Sequence, residues 1–75
     1  MKVTFEFDTD SENFDSIELE AHYQARDLVS CLSNILDKTR SWYKYDEREE
    51  IPTEEIRDEI VEIINDHVNT EKLGL

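Results

Sequence analysis

Ile51-Pro52-Thr53-Glu54-Glu55-Ile56-Arg57-Asp58-Glu59-Ile60-Val61-Glu62-Ile63-Ile64-Asn65-Asp66-His67-Val68-Asn69 is the stretch that decides the fold. Pro52 stops the preceding backbone, Thr53 offers a cap, and Glu54 and Glu55 meet the positive end of a helix dipole. Ile56, Ile60, Ile63, Ile64 and His67 then fall on one stripe. Such spacing predicts an amphipathic helix over residues 53–69 that needs an apolar partner. Its other face is acidic. Glu54, Glu55, Asp58, Glu59, Glu62 and Asp66 cover an arc of about 140° opposite the isoleucines.

Upstream, Asp46-Glu47-Arg48-Glu49-Glu50 reads as a polar connector. Before it, Ile17, Ala21, Ala25, Leu28, Leu32, Ile35, Leu36, Trp42 and Tyr43 project into a stripe roughly 120° wide. The expected element is one long helix over residues 16–43. Asp15 or Ser16 can cap it, and Asp15 with Glu18 has capping-box spacing. Leu19 and Tyr23 lie nearly opposite the stripe, so either an N-terminal strand packs on them or they form a contact patch. At the amino terminus, Lys2-Val3-Thr4-Phe5-Glu6-Phe7-Asp8 alternates strictly, as a half-buried strand does. The tail from Thr70 to Leu75 is weakly specified, although Leu73 and Leu75 can cover the end of the core. The expected class is α+β: a strand at about 2–8, a helix at 16–43, and an antiparallel helix at 53–69. A lone strand has two unpaired edges. It requires the Trp42–Tyr45 region, a partner protein or the same strand of a second subunit, and the last option implies a homodimer.

Seventy-five residues make a single domain whose core contributes only a few kcal/mol of net stability. Cys31 is the only cysteine, which fits a reducing cytoplasm. MKVTFEFD does not read as a signal peptide, and no apolar run approaches a membrane span. Twenty Asp and Glu stand against eight Lys and Arg, a net charge of −12. That imbalance argues against direct contact with nucleic acid or an anionic membrane and for a basic partner.

Little in the chain points to catalysis. Asp8, Asp10 and Glu12 alternate like the opening of a calcium loop, but Asn13 and Leu19 stand where glycine and the bidentate glutamate belong. His22, Cys31 and His67 lack zinc-ligand spacing, and His67 on the apolar stripe reads as a hydrogen-bonded core histidine. Gly74 is the only glycine, so no phosphate-binding loop can form. The expectation is no enzyme, no metal and no cofactor. Lys38, Arg40, Lys44 and Arg48 surround Trp42, Tyr43 and Tyr45, yet neighbouring acids nearly cancel their field. Trp42 and Tyr43 read as core, and Tyr45 as exposed.

The acidic ridge is the sharpest candidate. Like charges four residues apart cost roughly 0.2–0.5 kcal/mol per pair, and carboxylates every ~5–6 Å echo the close phosphate spacing of a nucleic-acid backbone. Glu54, Glu55, Asp58, Glu59, Glu62 and Asp66, extended by Glu47, Glu49 and Glu50, form the expected binding face. Leu19, Tyr23 and Tyr45 are secondary contacts. An ordinary solvated helix face is the competing reading.

The stretches MKVTFEFD (residues 1–8) and WYKYDEREEIPTEEIRDEIVEIINDHVN (residues 42–69), with the long helix between, resemble small acidic, largely uncharacterised proteins of tailed bacteriophages and prophages. The resemblance covers most of the chain, rests on overall pattern, and transfers no functional residue. It implies a bacterial host cytoplasm and a protein expressed against that host. Small acidic phage proteins include inhibitors that occupy the nucleic-acid sites of host nucleases and other defence proteins. The resulting expectation is a non-enzymatic inhibitor of a basic, nucleic-acid-binding host protein. The alternative is a phage structural, assembly or adaptor protein that works as a homo-oligomer.

Overall fold

A computed structural model describes residues 1–75. Its regular elements are α1 (Ser16–Tyr23), α2 (Ala25–Lys44), α3 (Thr53–His67) and a 3-10 turn (Glu71–Leu73). The fold is therefore all-helical, and the expected α+β class is wrong. Residues 1–7 make no backbone–backbone hydrogen bond. A strand is held by a ladder to a neighbour, and no second extended segment lies beside this one. The alternation still has a structural expression: Phe5 and Phe7 both reach His22, with ring centroids 4.8 and 4.9 Å away. The homodimer expected through the strand edge loses the element it required.

The expected single helix over 16–43 is two helices. Asp15 Oδ1 accepts from the backbone N–H groups of Ile17 (2.9 Å) and Glu18 (3.3 Å) and starts α1. The helix breaks at Gln24, with φ −94° and ψ 7°. No Pro or Gly causes this break. Gln24 is buried, and its side chain pairs with the Asn69 backbone in both directions. Oε1 accepts from the Asn69 N–H at 2.8 Å, and Nε2 donates to the Asn69 carbonyl at 3.1 Å and to Glu20 Oε1 at 3.1 Å. The bend leans α1 on the 3-10 turn, where Leu73 is buried and Gly74 adopts φ +73° beside Ile17. Of the two tail leucines expected to cover the core, Leu73 does so and Leu75 is exposed.

Helices α2 and α3 form an antiparallel hairpin. Gln24 meets Asn69, Asn34 meets His67, and Lys38 meets Glu59. Thr53 is the first residue of α3 rather than its cap, and no side chain caps that end. The connector is fastened by Arg48, whose guanidinium bonds Asp46 and Glu55, each at 2.7 Å from Nη2.

The core is thin. Only Gln24, Cys31, Val68 and Leu73 are buried; Ala21, Leu28, Ile35, Ile63 and Ile64 pack partly against them. The α2 stripe is rotated from its expected position. Leu28, Cys31, Ile35, Lys38 and Trp42 are the covered or half-covered positions, while Leu32 and Leu36 are 60% and 61% exposed. Tyr43, expected in the core, is 89% exposed. The Cα radius of gyration is 17.0 Å, against about 11 Å for a compact chain of this length.

Candidate acidic binding face

Helix α3 places the six acids as its periodicity requires. Glu54, Asp58, Glu62 and Asp66 are exposed, Glu55 and Glu59 half-buried, and Glu47, Glu49 and Glu50 exposed on the connector. Four-residue steps along a helix advance about 6 Å, so Glu54, Asp58, Glu62 and Asp66 form a row roughly 18 Å long.

Three cations, one each from α2, the connector and α3 itself, neutralise part of this face. Lys38 Nζ lies 3.3 Å from Glu59, Arg48 bridges Glu55, and Arg57 lies 3.2 Å from Asp58. Glu47, Glu49, Glu50, Glu54, Glu62 and Asp66 carry no ion pair. The charge is therefore divided: an unpaired cluster on the connector and first turn, and an unpaired pair, Glu62 and Asp66, further along. Glu62, Asp66 and Glu59 also form one wall of an open groove between the helices, with Asn34, Asp37, Lys38 and Ser41 opposite. Asp37, which the sequence reading counted only among the acids that cancel the field of the basic and aromatic patch, lies on this groove and widens the acidic surface beyond α3.

His67 joins the two walls. Its Nδ1 lies 2.9 Å from the Ile63 carbonyl oxygen, and that oxygen can only accept, so Nδ1 carries the proton. Nε2 then accepts from Asn34 Nδ2 at 2.8 Å. Both ring nitrogens are occupied, so His67 is hydrogen-bonded as expected, but it is half-buried on the groove and not part of the core.

Hydrogen bonding from the Arg48 guanidinium, first, and from its backbone N–H holds the Asp46 carboxyl down at about 2. Asp46 raises Arg48 in turn, with Glu55 second. This clamp ties the connector to the first turn of α3 through Glu55. Leu19 and Tyr23 line a shallow apolar hollow with Phe5, Phe7, Thr9 and His22. The amino-terminal segment therefore does cover the second apolar side of α1, without forming a strand, and Tyr23 stays exposed. Tyr45 is exposed at the far end of α2, away from this hollow.

No group of three or more His, Cys, Asp and Glu side chains is placed to hold a metal ion. No helix is long and apolar enough to cross a membrane. No protein-family model, curated protein or solved structure matches the chain.

Proposed function

We propose that this protein is a non-enzymatic binder of a basic, nucleic-acid-handling protein, and that the α3 ridge and the connector form its contact surface. The observation that carries this reading is the set of six carboxylates without an ion pair along the connector and α3, four on the connector and first turn and two further along, in a chain with net charge −12. Such a surface steers a cationic partner and then covers the site where the partner holds phosphates. The resemblance to small acidic phage proteins supports a bacterial host protein as the target and inhibition as the outcome.

The experiment is a competition. A basic DNA-binding protein is loaded with labelled DNA, and this protein is titrated in at increasing salt. Displacement that weakens steeply with salt is expected. Replacing Glu54, Asp58, Glu62 and Asp66 together by lysine removes displacement, while circular dichroism shows the helices retained. Equal displacement by the folded variant refutes the reading.

A further inference from the structure

The α2–α3 hairpin has two unlike sides. One is the polar groove lined by Asn34, Asp37 and Lys38 of α2 and Glu59, Glu62 and Asp66 of α3. The opposite side is apolar and bare. The covered or half-covered positions at the start of α2 and along it are Gln24, Leu28, Cys31, Ile35, Lys38 and Trp42, alternating four and three residues apart. Immediately beside that seam runs a second one with the same spacing: Val29, Leu32, Leu36 and, a further seven residues on, Tyr43. Val29 is 70% exposed, and Leu32 and Leu36 are more than half exposed. Helical projection puts Ile60, Val61 and Ile64 of α3 on this same side. A helix with two adjacent apolar seams is the pattern of a bundle helix that faces two neighbours. Here one neighbour is α3 and the other position is empty.

We propose that the second neighbour is another copy of this chain, and that two hairpins pair through this face into a four-helix bundle. Surface area points to a second copy. The chain exposes 6698 Å², whereas a compact monomer of 8.9 kDa exposes about 4,800 Å². The surplus is about 1,900 Å² per chain. The amino-terminal segment accounts for part of it. If each copy buries only half, the pair hides about 1,900 Å² in total, near the upper limit of a standard stable interface.

Charge points the same way. Both acids of α2, Asp27 and Asp37, project to the groove side, and the α3 ridge faces away from the bare side. The charges nearest its rim are Arg40 and Arg57, with Glu54 beside Val61 at the outer edge and Asp58 paired to Arg57. Two copies of a strongly acidic chain can therefore meet here with no carboxylate inside the apolar seam itself. An antiparallel two-fold arrangement places Leu32 of one copy on Leu36 of the other. This inference does not depend on the binding function proposed above, because the two faces are on opposite sides of the hairpin.

Sedimentation velocity of the full chain tests it. The expected mass is twice 8.9 kDa, with no loss on adding salt. Replacing Leu32 and Leu36 together by lysine is expected to halve the mass while helix content stays unchanged, since both side chains are largely exposed. Replacing the same two leucines by serine, which adds no charge to the interface, is expected to give the same loss, so dissociation does not come from lysine–lysine repulsion. Phe5→Lys is expected to leave the dimer intact. In a mixed-isotope sample, isotope-filtered NOEs between Leu32 and Leu36 methyls of different copies are expected. A monomer of 8.9 kDa at the highest soluble concentration overturns the proposal, even if that monomer pairs with an unrelated protein. A dimer that survives the double lysine variant, or that Phe5→Lys dissolves, also overturns it.

Discussion

Gln24→Glu is the most informative single change in this fold. The native amide makes three hydrogen bonds from a buried position: it accepts the Asn69 N–H at 2.8 Å and donates to the Asn69 carbonyl and to Glu20, both at 3.1 Å. A carboxylate keeps the first bond and loses both donations. A neutral bond contributes about 0.5–1.5 kcal/mol and one to a charged acceptor about 1.5–3. The loss is therefore about 2–4 kcal/mol, and two carboxylates at this separation add roughly 1 kcal/mol or more of repulsion. A 75-residue domain has only about 4–11 kcal/mol in total, so the variant should be close to unfolding at neutral pH. The sign with pH follows from the new group. Its surroundings favour the protonated form, so its folded pKa is raised above the ordinary value of about 4.3. Its stability is retained below that value and lost as pH rises through the raised one. Gln24→Leu removes the same donors without adding a titrating group, and its deficit should be flat with pH. Urea unfolding followed by circular dichroism at pH 7 and pH 4, for both variants against the wild type, measures this. A Gln24→Glu midpoint equal to wild type at pH 7 would refute the role assigned to Gln24, as would identical pH-independent deficits in the two variants.

Two further outcomes are expected. Gly74→Ala places a Cβ 3.0 Å from Ile17 Cδ1 at a φ of +73°; the left-handed backbone costs an alanine about 1–2 kcal/mol, so the melting temperature should fall by about 4–16 °C, and an unchanged melt would show that the α1–tail contact does not form. The Asp46 carboxyl, held at about 2 by Arg48, should titrate near that value by carbon NMR and return toward the ordinary value of 3.8 in Arg48→Gln. Because the folded pKa is depressed, the clamp stabilises above about pH 3.8 and is lost as pH falls through about 2, so the stability gap between wild type and Arg48→Gln should close across that window.

Local signals were legible and non-local ones were not. Asp15 starts α1 because a cap depends on the next three residues alone. Pro52 and the isoleucine spacing locate α3 to within two residues of its end at His67. The break at Gln24 has no local signature, because its cause is the backbone of Asn69, 45 residues away. A glutamine among apolar neighbours at a seam position, in step with Leu28 and Cys31, was the available clue. Alternation in residues 2–8 correctly put Phe5 and Phe7 on one side, but it carries no information about a pairing partner, and pairing is what makes a strand. For α2, a stripe 120° wide is too broad to reveal which half α3 covers. The strict four–three spacing of Gln24, Leu28, Cys31, Ile35, Lys38 and Trp42 resolves it only when two polar residues are admitted to the seam.

The same division explains the acidic face. That Glu54, Asp58, Glu62 and Asp66 share one side follows from the helix period, so the ridge was visible in the sequence. Its neutralisation depends on which helix docks where: Lys38 reaches Glu59 only because α2 and α3 are antiparallel in this register, and Arg48 reaches Glu55 only because Asp46 turns the connector back. Composition, in contrast, cannot distinguish a cation on the same face from one on the far side of the molecule. The eight bases are few enough that their placement decides the field. Lys38, Arg48 and Arg57 are held in ion pairs along α3 or the connector. Arg26, Arg40 and Lys44 form no ion pair and lie on α2, with Arg40 nearest the bare apolar seam. Ten of the twenty acids lie on the connector and α3, seven lie in residues 6–20, and none is a residue of the second seam. The docking of α2 on α3, and not composition, decides which of these carboxylates face solvent without a cation.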